Sequence, residues 1–372
     1  MKRVLFIFGT RPEAIKMAPL VREFRKYPAE FEAIVCVTAQ HREMLDRFLD
    51  FFEIVPDFDL NIMEPDQSLF DITSRAVKGL EEVVNRFVPD IIFVQGDTTT
   101  AFAGALSGYY TGVTVGHVEA GLRSGDKHAP YPEEMNRVLI GHLADYHFAP
   151  TERARDNLAR EGIAENVYVV GNTVIDALLL CLDTIRSHGD ERYAEFFDFI
   201  DFSRKILLVT GHRRESFGGP FQNICNALTD ISKQFADVEI VYPVHLNPQV
   251  KKPAMAILKD IGNIHLIDPL DYPHLVWLME KSYLILTDSG GIQEEAPTLG
   301  KPVLVMRDVT ERTEGIAAHT AELVGTDPAR IVARVSTLLG DRDEYGKMAR
   351  AENPYGDGRS CERITRIIRE ML

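Results

Sequence analysis

The sequence predicts an α/β protein built from two doubly wound, Rossmann-like domains, and three observations predict it. Short apolar runs recur along the chain, each ending in Gly, Asp or a polar cluster and followed by a longer stretch with helical spacing. The series runs to about residue 170 and then restarts near residue 205. At 372 residues the chain also exceeds the size at which a single hydrophobic core stops growing.

The first series reads "VLFIFG", "EAIVCVTA", "DIIFVQGD", "VTVGHVE", "ADYHFAP" and "NVYVVGN". Continuous runs of this kind suit strands buried on both faces of a parallel sheet. Val4 to Phe8 follows two positive charges, but five apolar residues are too few for a secretory segment, so the run reads as a first strand. The second series reads "KILLVTGH", "VEIVYPVH", "NIHLID", "YLILTDSGG", "KPVLVM" and "AELVGTD".

These runs divide the chain into a first domain over residues 1–170 and a second over 171–356, with Asp190 to Arg204 read as a charged, aromatic surface connection. Residues 357–372 form a last segment in which Arg359 to Leu372, after the turn "NPYGDG", place Ile364, Ile367, Ile368 and Met371 on one helical stripe, expected to pack back on the first domain. In open α/β sheets ligands bind beyond the carboxyl ends of the strands. The polar tails of the runs are therefore the expected seat of chemistry, in a cleft formed by two such edges.

Composition narrows the partners. With 45% hydrophobic and 26% charged residues the chain is an ordinary globular one, and a formal charge of −15 spares no basic face for a nucleic acid. A small anion in a local basic pocket is compatible with that charge. Cys36, Cys181, Cys225 and Cys361 form no C-x-x-C pair, so neither a metal site nor a redox motif is expected. No run approaches the ~20 apolar residues of a membrane span, and the expected setting is soluble and cytoplasmic.

In "GTRPEAIK" Gly9 permits a tight turn and Pro12 suits the start of a helix. Arg11 and Lys16 then sit near a helix N-terminus, where cations oppose the dipole unless an anion arrives, so both are predicted phosphate contacts. The segment is not a G-x-x-x-x-G-K-[ST] loop. The only G-x-G, Gly356 to Gly358, has neither a third glycine nor a preceding strand, so no nicotinamide or Mg-nucleotide cofactor is expected.

"LILTDSGGIQEEAP" turns from a strand through Ser289, Gly290 and Gly291 into a helix whose first amides suit a diphosphate. Glu295 reads equally as an acceptor for ribose hydroxyls or, like Glu294, as a helix-dipole partner. "VTGHRRES" sets His212, Arg213 and Arg214 past another strand end. Asp97 reads as a helix cap or as an acid/base group. Glu133 and Arg137, four apart after Pro132, suit a shared helix face. Asp97, Glu119 and Glu133 together gather three carboxylates near one sheet edge, an arrangement suited to proton transfer.

Taken together, "FGTRPEAIKMAPL", "TAQHREML", "QGDTTT", "GHVEAGLR", "PEEMNR", "VTGHRRES", "PVHLNP", "LTDSGGIQEEAP" and "NPYGDG" closely resemble the non-hydrolysing UDP-N-acetylglucosamine 2-epimerases, in order along the whole chain. The resemblance implies a GT-B-like fold with the active site between two Rossmann-like domains. It implies interconversion of UDP-GlcNAc and UDP-ManNAc without a cofactor, through loss and return of UDP and a 2-acetamidoglucal intermediate, in supply of cell-surface polysaccharide.

By the same resemblance Asp97, Glu119 and Glu133 are the catalytic carboxylates, and Arg11, Lys16, Arg137 and His212 contact the substrate or its diphosphate. Ser289, Gly290, Gly291, Glu295 and Arg312 fall on the nucleotide side. Gln40, His41, Gln67 and His245 fall where some relatives hold a second UDP-GlcNAc as activator, and a homodimer is implied. A hydrolysing epimerase that releases ManNAc and UDP, a GT-B glycosyltransferase and a non-enzymatic nucleotide-sugar sensor stay open as alternatives.

Overall fold

The computed structural model describes residues 1–38, 42–64 and 66–371. Its strands form two parallel sheets. The first comprises β1 (Lys2–Phe8), β2 (Phe31–Val37), β3 (Phe58–Asp59), β4 (Ile91–Gln95), β5 (Thr114–Val118), β6 (Tyr146–Ala149) and β7 (Val167–Val169), in the order β3-β2-β1-β4-β5-β6-β7. The second comprises β8 (Lys205–Thr210), β9 (Val238–Pro243), β10 (Ile264–Ile267), β11 (Leu284–Thr287), β12 (Val303–Val305) and β13 (Ala321–Leu323), in the order β10-β9-β8-β11-β12-β13.

Each of the twelve apolar runs is a strand as expected, and β3 is one further strand that no run announced. β3 is two residues long, pairing at the edge with Cys36 and Val37, too short to leave a pattern in the sequence. Both strand orders reverse once, between β1 and β4 and between β8 and β11, and in a doubly wound sheet that switch point opens a crevice at the carboxyl ends of the strands.

The core explains the strand placement. Val4 to Phe8 of β1 are fully buried, with helices on both faces of the sheet, and Phe6 stacks on Phe93 of the neighbouring β4 at 5.3 Å while meeting Phe24 edge-on at 5.4 Å. The helix Thr99–Thr111 begins where the Thr98 hydroxyl accepts the Ala101 amide at 3.0 Å and ends at Gly112 with φ 68°.

The chain resolves into two compact units, Met1–Leu179 with Tyr355–Leu372, and Leu180–Pro354. The first passage therefore falls inside the helix Thr173–Ser187 and not at residue 170. The end of β7 marks the end of the sheet, but Val174 and Ile175 still pack with Tyr355 in the first unit, so the helix itself carries the crossing. The closing helix Ser360–Met371 belongs to the first unit, where Asp176 accepts the amides of Ser360 at 3.2 Å and Cys361 at 2.8 Å and Arg369 pairs with Glu30 at 2.7 Å.

Asp190 to Arg204 is largely exposed, as a surface connection should be, but it is not featureless: it contains the helix Glu191–Phe196 and buries Tyr193, Phe197 and Ile200, Phe197 lying flat on Trp277 at 5.3 Å. Apolar contact outweighs the charges around it, which stay at the surface. Among the described residues the four cysteines are free and buried, no side-chain cluster is suited to a metal ion, and no helix is long and apolar enough to cross a membrane.

Candidate active site

The first unit's site grows from the ends of β1, β4 and β5. A Cβ on Gly9 would lie 2.1 Å from Thr38 Oγ1 and 2.5 Å from Thr100 Oγ1, so only glycine lets the chain leave β1 this close to its neighbours. Glu13, buried in the first turn of the helix Arg11–Arg25, reaches back with Oε2 to accept the amides of Gly9 (3.1 Å) and Thr10 (2.8 Å) and the Thr10 hydroxyl (2.8 Å). The helix start is thus already occupied by a carboxylate. At this helix start an incoming anion is left the side chains of Arg11 and Lys16.

Burial pushes Glu13 up to about 7, against the pull of the Thr98 and Thr10 hydroxyls and the Gly9 and Thr10 amides. Arg11 is half-buried and makes no ion pair with any described residue. Lys16, more than a turn further on, donates to Oε2 of Glu119, and Gln95 Nε2 donates to the same oxygen.

Glu119 directly follows β5 and Asp97 lies two residues past β4; Gln95 and Val118 are register partners, so both acids leave adjacent strands at one edge. Glu119 has φ 65°, a left-handed conformation that costs a non-glycine residue about 1 kcal/mol or more and recurs at functional turns.

Asp97 is not the helix cap, since Thr98 takes that part. Its carboxylate accepts Arg137 at 2.6 Å, its carbonyl accepts Asn136 Nδ2 at 2.8 Å, and the carbonyl of Gly96 before it accepts His117 Nε2 at 2.8 Å. That last bond puts the imidazole proton on Nε2. Burial holds His117 down at about 3, so the ring is neutral.

Arg137 makes its second pair with Glu134 at 3.0 Å and not with Glu133. Glu134 also accepts the amides of Ser124 and Gly125 at 3.0 Å; burial raises its pKa, but these amides and Arg137 outweigh burial and leave it lowered. Glu133 opens the helix Glu133–Leu143, and its Oε2 is buried with no hydrogen-bond partner among the described residues. Lys16 with Glu119 and Arg137 with Asp97 are therefore brought together, while Glu133 pairs with neither cation.

In the second unit Asp288, just past β11, accepts the amides of His212 (2.7 Å) and Arg213 (2.8 Å) just past β8. His212 Nδ1 lies 3.2 Å from the other carboxylate oxygen, and its ring stacks on His245 at 5.6 Å. Burial raises Asp288, but His212 and the two amides prevail and lower it.

Ser289 precedes the helix Gly290–Glu295, and Arg312 lies against Gly290, where a Cβ would come 3.0 Å from its Cζ. Arg312 pairs with Glu294 (2.9 Å) and Glu311 (2.7 Å). Glu294 is thus an ion-pair partner, and Glu295 closes the helix instead of opening it, so neither serves the dipole. Glu295 is buried and accepts the Tyr272 hydroxyl at 2.6 Å.

Of the residues read as an activator set, Gln67 lies in the first unit, where its Oε1 accepts the Glu64 amide at 3.2 Å, and His245 in the second. Gln40 and His41 lie outside the described residues. The sequence reading passed over Glu13, Gln95, Glu134, Tyr272 and Asp288. The first was available as the T-x-x-E capping pattern Thr10–Glu13, and Asp288 as the acid ending a strand run; Tyr272 left no local signal.

The chain is 58% identical over 370 residues to UDP-N-acetylglucosamine 2-epimerase of Escherichia coli K12, covering 99% of this chain and 98% of that one. The crystal structure of UDP-GlcNAc 2-epimerase from Neisseria meningitidis bound to UDP-GlcNAc superposes with a TM-score of 0.91 at 47% identity, over 99% of this chain and 100% of that one. The Methanocaldococcus jannaschii enzyme in complex with UDP-GlcNAc and UDP gives 0.80 at 35% identity, covering all of both chains at 100%. The likeness of fold reaches a glycosyltransferase of kitacinnamycin, with a TM-score of 0.68 at 11% identity over 100% of this chain and 99% of that one, which places the two Rossmann-like domains in the GT-B-like class. With the family model for UDP-N-acetylglucosamine 2-epimerases matching residues 22–369, the chain belongs to that family.

Proposed function

We propose that the protein interconverts UDP-GlcNAc and UDP-ManNAc by eliminating UDP across C1–C2 of the sugar and adding it back, without hydrolysis. The hydrogen at C2, between an acetal carbon and a carbon bearing oxygen, is not acidic enough for a base alone. Elimination removes the difficulty. The C1–O bond breaks with its electron pair going to the diphosphate, a carboxylate takes the C2 proton, and the C1–C2 double bond of 2-acetamidoglucal forms. Return of UDP to C1 with a proton delivered to the opposite face of C2 gives the epimer.

Such a reaction needs two acid/base groups about C2 and cations for the leaving diphosphate. The observation that carries the reading is the pairing at the first unit's switch point: Glu119 with Lys16 and Asp97 with Arg137, on turns from adjacent strands. Glu119 and Asp97 take the proton-transfer roles, with Glu133 as a third carboxylate. Lys16, Arg11, Arg137 and His212 stabilise the diphosphate, and Ser289, Gly290, Gly291, Glu295 and Arg312 serve the nucleotide. The relative from Neisseria meningitidis bound to UDP-GlcNAc supports that substrate.

Nuclear magnetic resonance of UDP-GlcNAc incubated with the protein in D2O tests the reading. Deuterium is expected at C2 of both epimers, with no stoichiometric free UDP. Epimer that accumulates with its C2 proton retained would exclude elimination, and steady release of ManNAc and UDP would favour a hydrolysing enzyme.

The homodimer reading finds support in a groove of about 990 Å³ on the first unit, walled by Leu69, Phe70, Phe102, Leu106, Tyr110 and Leu139. Phe70 is 88% exposed there, and a second copy of the same face would cover it. Light scattering on the Phe70→Glu protein is expected to give a monomer; an unchanged mass would remove this face as the contact.

A further inference from the structure

We propose that Glu13 is a positioning residue that fixes the spacing between the turn bearing Arg11 and the turn bearing Asp97. The inference rests on the epimerase reading above and adds a residue to it. Glu13 is 1% exposed and belongs to neither turn's reacting groups. Its two oxygens divide their work. Oε2 holds the β1 turn through the Gly9 and Thr10 amides, while Oε1 accepts the Thr98 hydroxyl at 2.7 Å, and Thr98 is the residue after Asp97.

The Asp97 turn is held from other sides as well, by His117 on the Gly96 carbonyl and Asn136 on the Asp97 carbonyl. Those bonds tie it to the rest of the acid cluster. Only the Glu13–Thr98 bond ties it, among these contacts, to the turn that presents Arg11. The same turn has no slack at Gly9, whose Cβ position is taken by Thr38 and Thr100 hydroxyls bonded to each other at 2.8 Å. A fixed spacing between the diphosphate cation and the acid suits an elimination across C1–C2, because the leaving group and the proton come off neighbouring carbons.

Glu13→Ala would leave the Gly9 and Thr10 amides without their acceptor and could unfold the turn, so the decisive variant is Thr98→Val, which spares those amides; it also removes the hydroxyl that caps the Ala101 amide, a loss read separately as a lower unfolding midpoint. Its kcat is expected to fall about tenfold or more, with KM for UDP-GlcNAc within about twofold, and Thr98→Ser is expected to restore kcat. Where Glu13→Ala folds, adding Thr98→Val to it is expected to cost little more, since the tie is already broken. A Thr98→Val protein with wild-type kcat, a Thr98→Ser protein as slow as Thr98→Val, or losses that multiply fully in the double variant would each overturn the proposal. Failure of the wild type to introduce solvent deuterium at C2 would instead overturn the epimerase reading beneath it.

Discussion

Lys16 donates through Nζ to Oε2 of Glu119, a carboxylate 103 residues further along the chain. The contact joins the helix after β1 to the end of β5, with β4 between them in the sheet, and Gln95 from β4 donates to the same oxygen. A buried carboxylate with both a cation and an amide on one oxygen is held in one place. On the proposed reaction its second oxygen is the one that meets substrate.

Replacing Glu119 by Gln keeps the shape and, on the proposed reaction, removes a proton-transfer group. Turnover is expected to fall by about 10²–10⁴-fold with the unfolding midpoint within a few degrees of wild type. Steady-state kinetics beside thermal unfolding checks this, and near-normal turnover would remove Glu119 from proton transfer.

Arg137→Lys is expected to behave as a severe substitution. Arg137 spans Asp97 at 2.6 Å and Glu134 at 3.0 Å with two separate nitrogens, a fork that a single ammonium does not reproduce. A loss in kcat/KM of about tenfold or more is the expected result, and a Lys variant matching wild type would show that charge alone suffices.

Tyr272→Phe removes one hydrogen bond from the buried Glu295 carboxylate. The expected cost is about 1–3 kcal/mol of stability, read by urea unfolding, together with weaker UDP binding by calorimetry. Stability lost without any change in UDP affinity would separate Glu295 from the nucleotide.

Acid sensitivity follows from two buried imidazoles. Burial holds His117 at about 3 and His147 at about 4, whereas both take up protons near 6.5 once unfolded. Between those values the unfolded chain binds more protons, so their contribution to stability is present above 6.5 and is lost as pH falls. Glu13 has the opposite sign: raised to about 7, its contribution is full below about 4.5 and is lost as pH rises through 7. Two imidazoles against one carboxyl leave a net loss toward acid. Urea unfolding from pH 7.5 to 5 is expected to show it, with a shallower slope in His117→Gln; equal slopes would mean that His117 is not buried neutral.

The strands and their order of use were legible because burial on both sheet faces writes continuous apolar runs, and strand ends carry the polar residues that follow. Thus Asp97, Glu119, His212 and Ser289 were identified as edge residues from local pattern alone. In Asp190 to Arg204 the exposed, charged character was legible, but the helix and the burial of Tyr193 and Phe197 were not, because these aromatics follow no regular period. Glu133 was chosen as Arg137's helix neighbour by spacing, when i,i+3 serves as well as i,i+4 and only packing selects Glu134.

The sequence by itself determined the two parallel sheets, the family and the kinds of side chain at each strand end, since periodicity and motif are properties of neighbours in the chain. Which cation meets which acid was decided by tertiary structure. Lys16 reaches Glu119, Arg137 reaches Asp97, and Glu13 reaches Thr98, because strand order places β1 beside β4 and β4 beside β5. Partners separated by tens of residues, at distances of a few ångströms, are set by that order and by burial, and no local pattern encodes them.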